Sequence, residues 1–267
     1  MTATWGERWL AQHPLQRLPS PSRGASALLH FLGLGSFAFS FGYLVQNPNP
    51  INESYGWHLQ YLTIIGLSLA ALTFAVGLLA DLTLSRRLFA LKNTLSVASA
   101  PMECLISLLY WGLRVVRDVW HDGETTGLSS PAQIDTKLVL PDWAPPIGLL
   151  PDLSFHAVPA ISLVTDLLFF SPPYTIAFLP ALGLSGLIAF GYWLWIEQCY
   201  QANKFYPYPI FTMLTTLQRV GLFTFSALLM TLSTSLLTWL YGVVNGTRSG
   251  IQRNGYPVER SGSLKRD

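Results

Sequence analysis

Six times along this chain an apolar stretch recurs that is long enough to cross a bilayer, at about 25–46, 57–82, 89–113, 149–170, 174–199 and 219–244. A helix needs roughly 20 mostly apolar residues to span the hydrocarbon core. The runs are long and lack the period-2 alternation of a membrane strand, so a β-barrel is excluded. Only 11% of the 267 residues are charged, against about a quarter in a soluble domain. These features predict an all-α, polytopic transmembrane bundle of six helices over 25–245. Short polar segments flank it at 1–24 and 246–267, and the second of these has the composition of a disordered tail.

Punctuation agrees with the six runs. Asn47-Pro48-Asn49-Pro50 closes the first, and Ser171-Pro172-Pro173 separates the fourth from the fifth. Pro145, Pro146 and Pro151 precede or open the fourth, with Pro151 a candidate first-turn proline. Pro101, Pro159 and Pro180 fall within runs and are expected to kink them. Eleven of the sixteen lysines and arginines lie before the first run, in the second connection (Arg86, Arg87, Lys92) or after the last. The positive-inside rule makes those segments, and both termini, cytoplasmic. The acid-rich connection holding Asp118, Asp122, Glu124, Asp135 and Asp142 is then non-cytoplasmic. Trp57, Trp111, Trp143, Trp195 and Trp239 sit near run ends, as interfacial aromatics do. A net charge of +2 without a basic stripe gives no nucleic-acid footprint. Asn52-Glu53-Ser54 is a glycosylation sequon close to the membrane.

Ionisable side chains inside the runs are costly and few: His30, Glu103, His156, Asp166 and Glu197, with Asp81 at a run end. Each serves either as a bundle-facing polar contact or as chemistry. His156 has Asp152 four residues earlier, on the same helical face. Asp152 could accept from one imidazole nitrogen and leave the other free as a base. It is equally an acid favoured by the dipole in a first helical turn. Thr63 enters from the same membrane side to a like depth. A membrane-helix threonine usually bonds its own backbone carbonyl four residues back, but a hydroxyl with a base in reach can attack an ester. Backbone N–H groups within the helix would be in use, so an oxyanion would need side chains, for which Asn203, Lys204 and Tyr206 lie on the correct side.

Gly183-Leu184-Ser185-Gly186 matches the G-x-S-G string of rhomboid-type proteases, which take their histidine from a later helix; here no histidine follows His156. Small residues that permit close helix packing explain the string. His13, His30, His58, His121 and His156 are scattered, and Cys104 and Cys199 lie in apolar runs, so neither a metal site nor a cofactor is expected.

Tyr55-Gly56, Tyr61-Leu62-Thr63 and Leu79-Ala80-Asp81-Leu82 resemble the second-helix signature of the androgen-induced protein family of membrane threonine hydrolases. His156 followed ten residues later by Asp166 resembles that family's histidine helix. Tyr206-Pro207-Tyr208-Pro209 resembles its tyrosine–proline motif before the last span. The likeness covers roughly 25–245 and is that of a divergent, fungal-type member. It implies a threonine nucleophile at Thr63 and a histidine base at His156. The implied substrate is a lipid ester, notably a fatty acid ester of a hydroxy fatty acid, and the implied residence is the endoplasmic reticulum membrane. The chain departs from the family in a longer N-terminal segment, a longer loop between Arg117 and Asp142, and Asp152 where the family carries asparagine. The competing class is a non-enzymatic membrane scaffold or carrier whose polar groups only hold helices together.

Overall fold

The computed structural model describes residues 23–124 and 147–245. The expectations for the two terminal segments, for Asp135 and Asp142 of the acid-rich loop and for Trp143 fall outside these residues, whereas Asp118, Asp122 and Glu124, expected in that loop, belong to a helix that runs to Glu124. Every regular element described is helical. The long helices are α1 (Arg23–Gln46), α2 (Leu62–Thr83), α3 (Arg86–Glu124), α6 (Phe178–Asn203) and α8 (Thr216–Val244), with α4 (Leu149–His156) and α5 (Val158–Phe170) forming a bent pair and α7 (Ile210–Met213) a single turn. Five helices are long and apolar enough to cross a membrane, and the α4–α5 pair, bent by 40°, passes the same criterion only when taken together, as a broken span or a re-entrant loop, which gives five or six spans.

Lipid-facing helices need no polar exterior, and leucines and phenylalanines are exposed on all of these spans, including Phe31, Leu72, Leu108, Leu187 and Leu236. The interior is a cluster of Phe37, Leu67, Phe74, Leu163, Leu167, Leu237 and Tyr241 drawn from α1, α2, α5 and α8. α2 packs most extensively against α1 and α3, and α6 against α8.

The prolines act by position. Pro159 is the second residue of α5, and the chain breaks at Ala157, just before it (φ −123°, ψ −50°). A proline there lacks the N–H that would bond one turn back, and its ring crowds that carbonyl. The Trp111 indole crosses the break and donates to the His156 carbonyl at 3.3 Å. Pro101 lies inside α3, which runs through it. Pro180 was expected to kink its helix, but α6 begins at Phe178. It therefore sits in the first turn, where an amide N–H has no helical partner to lose.

The end of the bundle where α1 and α3 begin and α8 finishes is called here the near end. It is pinned by a buried charge network. His30 Nδ1 lies 2.7 Å from Asp81 Oδ2 and its Nε2 3.1 Å from Asp166 Oδ1. Ser26 donates to Asp81 at 2.9 Å. Lys92 Nζ donates to both Asp166 oxygens, at 3.0 and 2.8 Å, and to Ser171 at 2.9 Å. Lys92 is thus not a loop cation, as the charge distribution suggested, but is 1% exposed and bonded inside the bundle. The network ties α1, α2, α3 and α5 together. It also needs Gly77, where a Cβ would lie 2.5 Å from His30 Nε2.

Candidate functional site

At the opposite, far end of the bundle, the segment before α2 is held by α6. Gly56 adopts φ +86°, and a Cβ there would stand 2.9 Å from Cys199 Sγ, so both backbone and space call for glycine. Asn203 accepts from the Tyr55 amide at 2.8 Å and donates to the Tyr55 carbonyl at 3.0 Å. Trp195 donates to the Leu59 carbonyl at 2.9 Å, and the Tyr192 hydroxyl to the Gln60 carbonyl at 2.8 Å. Residues Trp57–Gln60 therefore form a 3-10 turn rather than the start of the span, and α2 begins at Leu62.

This start places Thr63 in the first helical turn of α2. The carbonyl four residues before it belongs to Leu59 and already accepts from Trp195. Thr73, Thr83, Thr94, Thr165, Thr224 and Thr231 each donate to the carbonyl four residues back. Among the described residues, no backbone carbonyl accepts from Thr63. Its half-buried side chain lies beside Tyr208. The Tyr208 ring packs edge-on against Tyr61, centroids 5.4 Å apart, and lies in a cluster with Leu62, Tyr192 and Phe211. Burial pushes the Tyr208 phenol above its usual range, while the neighbouring Leu62 backbone and the Thr63 and Tyr192 side chains pull the other way. First-turn amides have no helical acceptor. At the start of α2 the Ile64 and Ile65 amides nevertheless both donate to the Tyr61 carbonyl, at 3.0 and 3.1 Å.

His156 ends α4. Its Nδ1 lies 3.0 Å from Asp152 Oδ1, so with Asp152 ionised Nδ1–H donates and the lone pair is on Nε2. Asp152 is 1% exposed and also accepts, through Oδ2, from the Arg114 guanidinium. The imidazole stacks face to face on Tyr110, centroids 3.5 Å apart and rings within 3° of parallel. Asp152 is also the acid of the first turn of α4, so the dipole contact and the imidazole contact coexist. Arg114 and Tyr110 were not singled out in the sequence, and Tyr208 entered only as part of the tyrosine–proline motif: each gains a role only through a partner on another helix.

α2 and α4 are neighbours, and Tyr61 packs in one apolar cluster with Phe155. The structure thus joins Asp152 to His156 and brings the Thr63 and His156 segments together. No hydrogen bond links Thr63 and His156 among the described residues. The three side chains considered for an oxyanion are engaged or turned outward. Asn203 clamps Tyr55, Lys204 is the exposed C-cap of α6, and the Tyr206 hydroxyl is bonded to Glu197 and Arg219. Burial and the neighbouring Glu197 carboxylate push the Tyr206 phenol up to about 12. Ser185 is buried on α6, whose main packing partner is α8. Among the described residues, no group of three or more His, Cys, Asp or Glu is disposed to hold a metal ion.

The Asp152 contact has a direct test. Asp152→Asn keeps an acceptor for Nδ1–H but loses the charge, and should lower turnover roughly tenfold. His156→Ala should cost far more. If Asp152→Ala leaves turnover unchanged, the carboxylate has no role beyond the helix terminus.

No solved structure resembles the chain. A UPF0641 membrane protein of Schizosaccharomyces pombe is 34% identical over 212 residues, covering 79% of this chain and 87% of that protein. The family model of FAR-17a/AIG1-like proteins matches residues 25–119 and 132–242. With the motifs of α2, α4–α5 and the tyrosine–proline loop in that order, the chain belongs to the FAR-17a/AIG1-like family of membrane proteins.

Proposed function

We propose that this protein is a membrane lipid-ester hydrolase in which Thr63 is the nucleophile and His156 the base. Its substrates are fatty acid esters of hydroxy fatty acids or related lipids. The observation that carries the reading is the release of the Thr63 hydroxyl from its own backbone, where most threonines of the spans are tied to theirs. The oriented imidazole of His156 on the neighbouring α4 and the family membership support it.

In this mechanism the ester carbonyl enters between α2 and α4. His156 Nε2 takes the Thr63 proton, and Oγ1 bonds to the carbonyl carbon. The resulting oxyanion is met by the Tyr208 hydroxyl, protonated at neutral pH. The ester C–O bond breaks, and the leaving alkoxide takes the proton from the imidazolium. Water, deprotonated by the same nitrogen, then attacks the acyl-threonine, and the acid leaves. Asp152 holds the tautomer and stabilises the imidazolium. Apo contacts in such pairs are often long and tighten with substrate. By the positive-inside rule the near end faces the cytoplasm, so the reaction occurs in the non-cytoplasmic half of the membrane, here assigned to the endoplasmic reticulum.

The test is an activity screen of the purified protein against a lipid-ester panel, with Thr63→Ala and Thr63→Ser alongside. Hydrolysis by the wild type, its loss in Thr63→Ala and partial retention in Thr63→Ser are expected. Full activity in Thr63→Ala would leave the scaffold or carrier reading standing.

A further inference from the structure

The fatty acid esters of hydroxy fatty acids proposed above carry a free carboxylate as well as an ester. A charge is costly in hydrocarbon, so that carboxylate stays at the interface while the chains lie in the lipid. A site that recognises it needs a cation close to the base and with donors to spare. Among the described side chains, three cations stand at the far end. Arg219 is spent on Glu197 and Tyr206. Lys204 caps α6, whose main partner is α8. Arg114 alone adjoins the base: its Nη1 donates to Asp152, the acid that orients His156, and Tyr110, four residues before it, stacks on the imidazole.

Arg114 also has an open edge. A guanidinium carries five N–H donors in a planar fork, and the polar partners of this one among the described residues are Asp152 and Tyr110. Its side chain is 35% exposed where that of Asp152 is 1% exposed, so it is closed on the Asp152 side and open on the other. The Trp111 ring lies against the guanidinium, 5.3 Å from Cζ to the centroid, and the same indole donates to the His156 carbonyl. The cation is thus fixed beside the base before any ligand arrives.

The register of α2 against α3 sets its height. A Cβ at Gly66 would lie 2.5 Å from Glu103 Oε1, an oxygen with no hydrogen-bond partner among the described residues, so these two residues stand level. Thr63 comes three residues further out than Gly66 on α2, and Arg114 eleven further out than Glu103 on α3. At about 1.5 Å per residue, Arg114 stands roughly 12 Å outside Thr63 along the bundle. A carboxylate at Arg114 and an ester at Thr63 are therefore separated by a length of chain. An ester on a mid-chain carbon of the hydroxy acid spans that gap, and one adjoining the carboxylate does not.

We propose that Arg114 is a specificity-determining residue whose open edge binds the free carboxylate of the substrate, and so sets the ester of a mid-chain hydroxy acid at Thr63. A planar fork matches a carboxylate in a way that an ammonium does not. This inference rests on the hydrolase reading above and adds the residue that recognises the acid.

The experiment compares kcat/KM for 9-(palmitoyloxy)stearic acid, ionised at mildly alkaline pH, and for its methyl ester, with the purified protein in a nonionic detergent. The wild type is expected to favour the acid by about tenfold or more, the worth of one hydrogen bond to a charged group. In Arg114→Gln that ratio should fall to about one. Both substrates share the ester, so slower chemistry from the lost Asp152 contact lowers both rates, and the ratio reports on the carboxylate. Arg114→Lys, which keeps the charge without the fork, should retain part of it. A wild type without the preference overturns the proposal and requires no variant to fold; a ratio unchanged in Arg114→Gln overturns it too. For 2-(palmitoyloxy)stearic acid, whose carboxylate adjoins the ester, acid and methyl ester should react alike, and an equally large acid preference there would replace the subsite with a general attraction for anions. Binding of 9-hydroxystearate against methyl 9-hydroxystearate is read by tryptophan fluorescence in Thr63→Ala and needs no turnover. Acid binding lost on adding Arg114→Gln supports the subsite even where Thr63→Ala proves active and the hydrolase reading fails. Loss of turnover in Thr63→Ala, with acid and methyl ester bound equally, sinks the Arg114 proposal alone.

Discussion

Lys92→Met should be the most destabilising single change in the bundle, lowering stability by about 3–5 kcal/mol. Its ammonium is fully buried and satisfies both oxygens of Asp166 as well as the Ser171 hydroxyl. Removing it leaves a carboxylate in a low-dielectric interior with His30, which is shared with Asp81, and a long contact from the Ser171 hydroxyl at 3.4 Å. For a chain of this size the loss corresponds to a fall on the order of 10 °C in Tm, measurable by fluorescence-detected gel filtration after heating. Lys92→Met/Asp166→Asn should recover part of the loss, because the uncompensated charge is removed with its partner. A Tm unchanged in Lys92→Met would show that Asp166 does not depend on the lysine.

The second large effect is catalytic. Thr63→Ala and His156→Ala should each lower kcat/KM at least about a thousandfold, and the double variant should be scarcely slower than either, since residues acting as one unit are non-additive. Single-turnover assays on one lipid ester, with all variants at matched Tm, give the comparison. Losses that multiply would assign the two residues to separate tasks and remove His156 as the base for Thr63.

Much of the architecture was legible in the sequence because a membrane span is a long, one-dimensional signal. Runs of hydropathy located the spans, and the chemistry of proline anticipated the break before Pro159. The start of α2 was not legible. Trp57–Gln60 are apolar enough to extend the run, but their carbonyls are captured by Trp195 and Tyr192 from a helix more than 130 residues away. That difference matters, because it moves Thr63 into the first turn, beside Tyr208. Lys92 was misplaced for a related reason. A lysine near a run end reads as interfacial until the acid that receives it, 74 residues later, is brought alongside. Local spacing did reveal the Asp152–His156 contact, since four residues on one helix is information the sequence holds. Tyr110, Arg114, Tyr208 and the orphaned oxygen of Glu103 depend on which helices face each other. Charge assigned both termini to the cytoplasmic side; among the described residues, α1 begins and α8 finishes at one end of the bundle.

The central claim is that Thr63 becomes acylated. The most direct measurement is rapid acid quench of the protein mixed with a long-chain p-nitrophenyl ester, followed by peptide mass spectrometry. The account predicts an acyl group on the peptide bearing Thr63, absent in Thr63→Ala and strongly reduced in His156→Ala. Ester turnover with no adduct on Thr63, or with the acyl group on Ser185 instead, would contradict it.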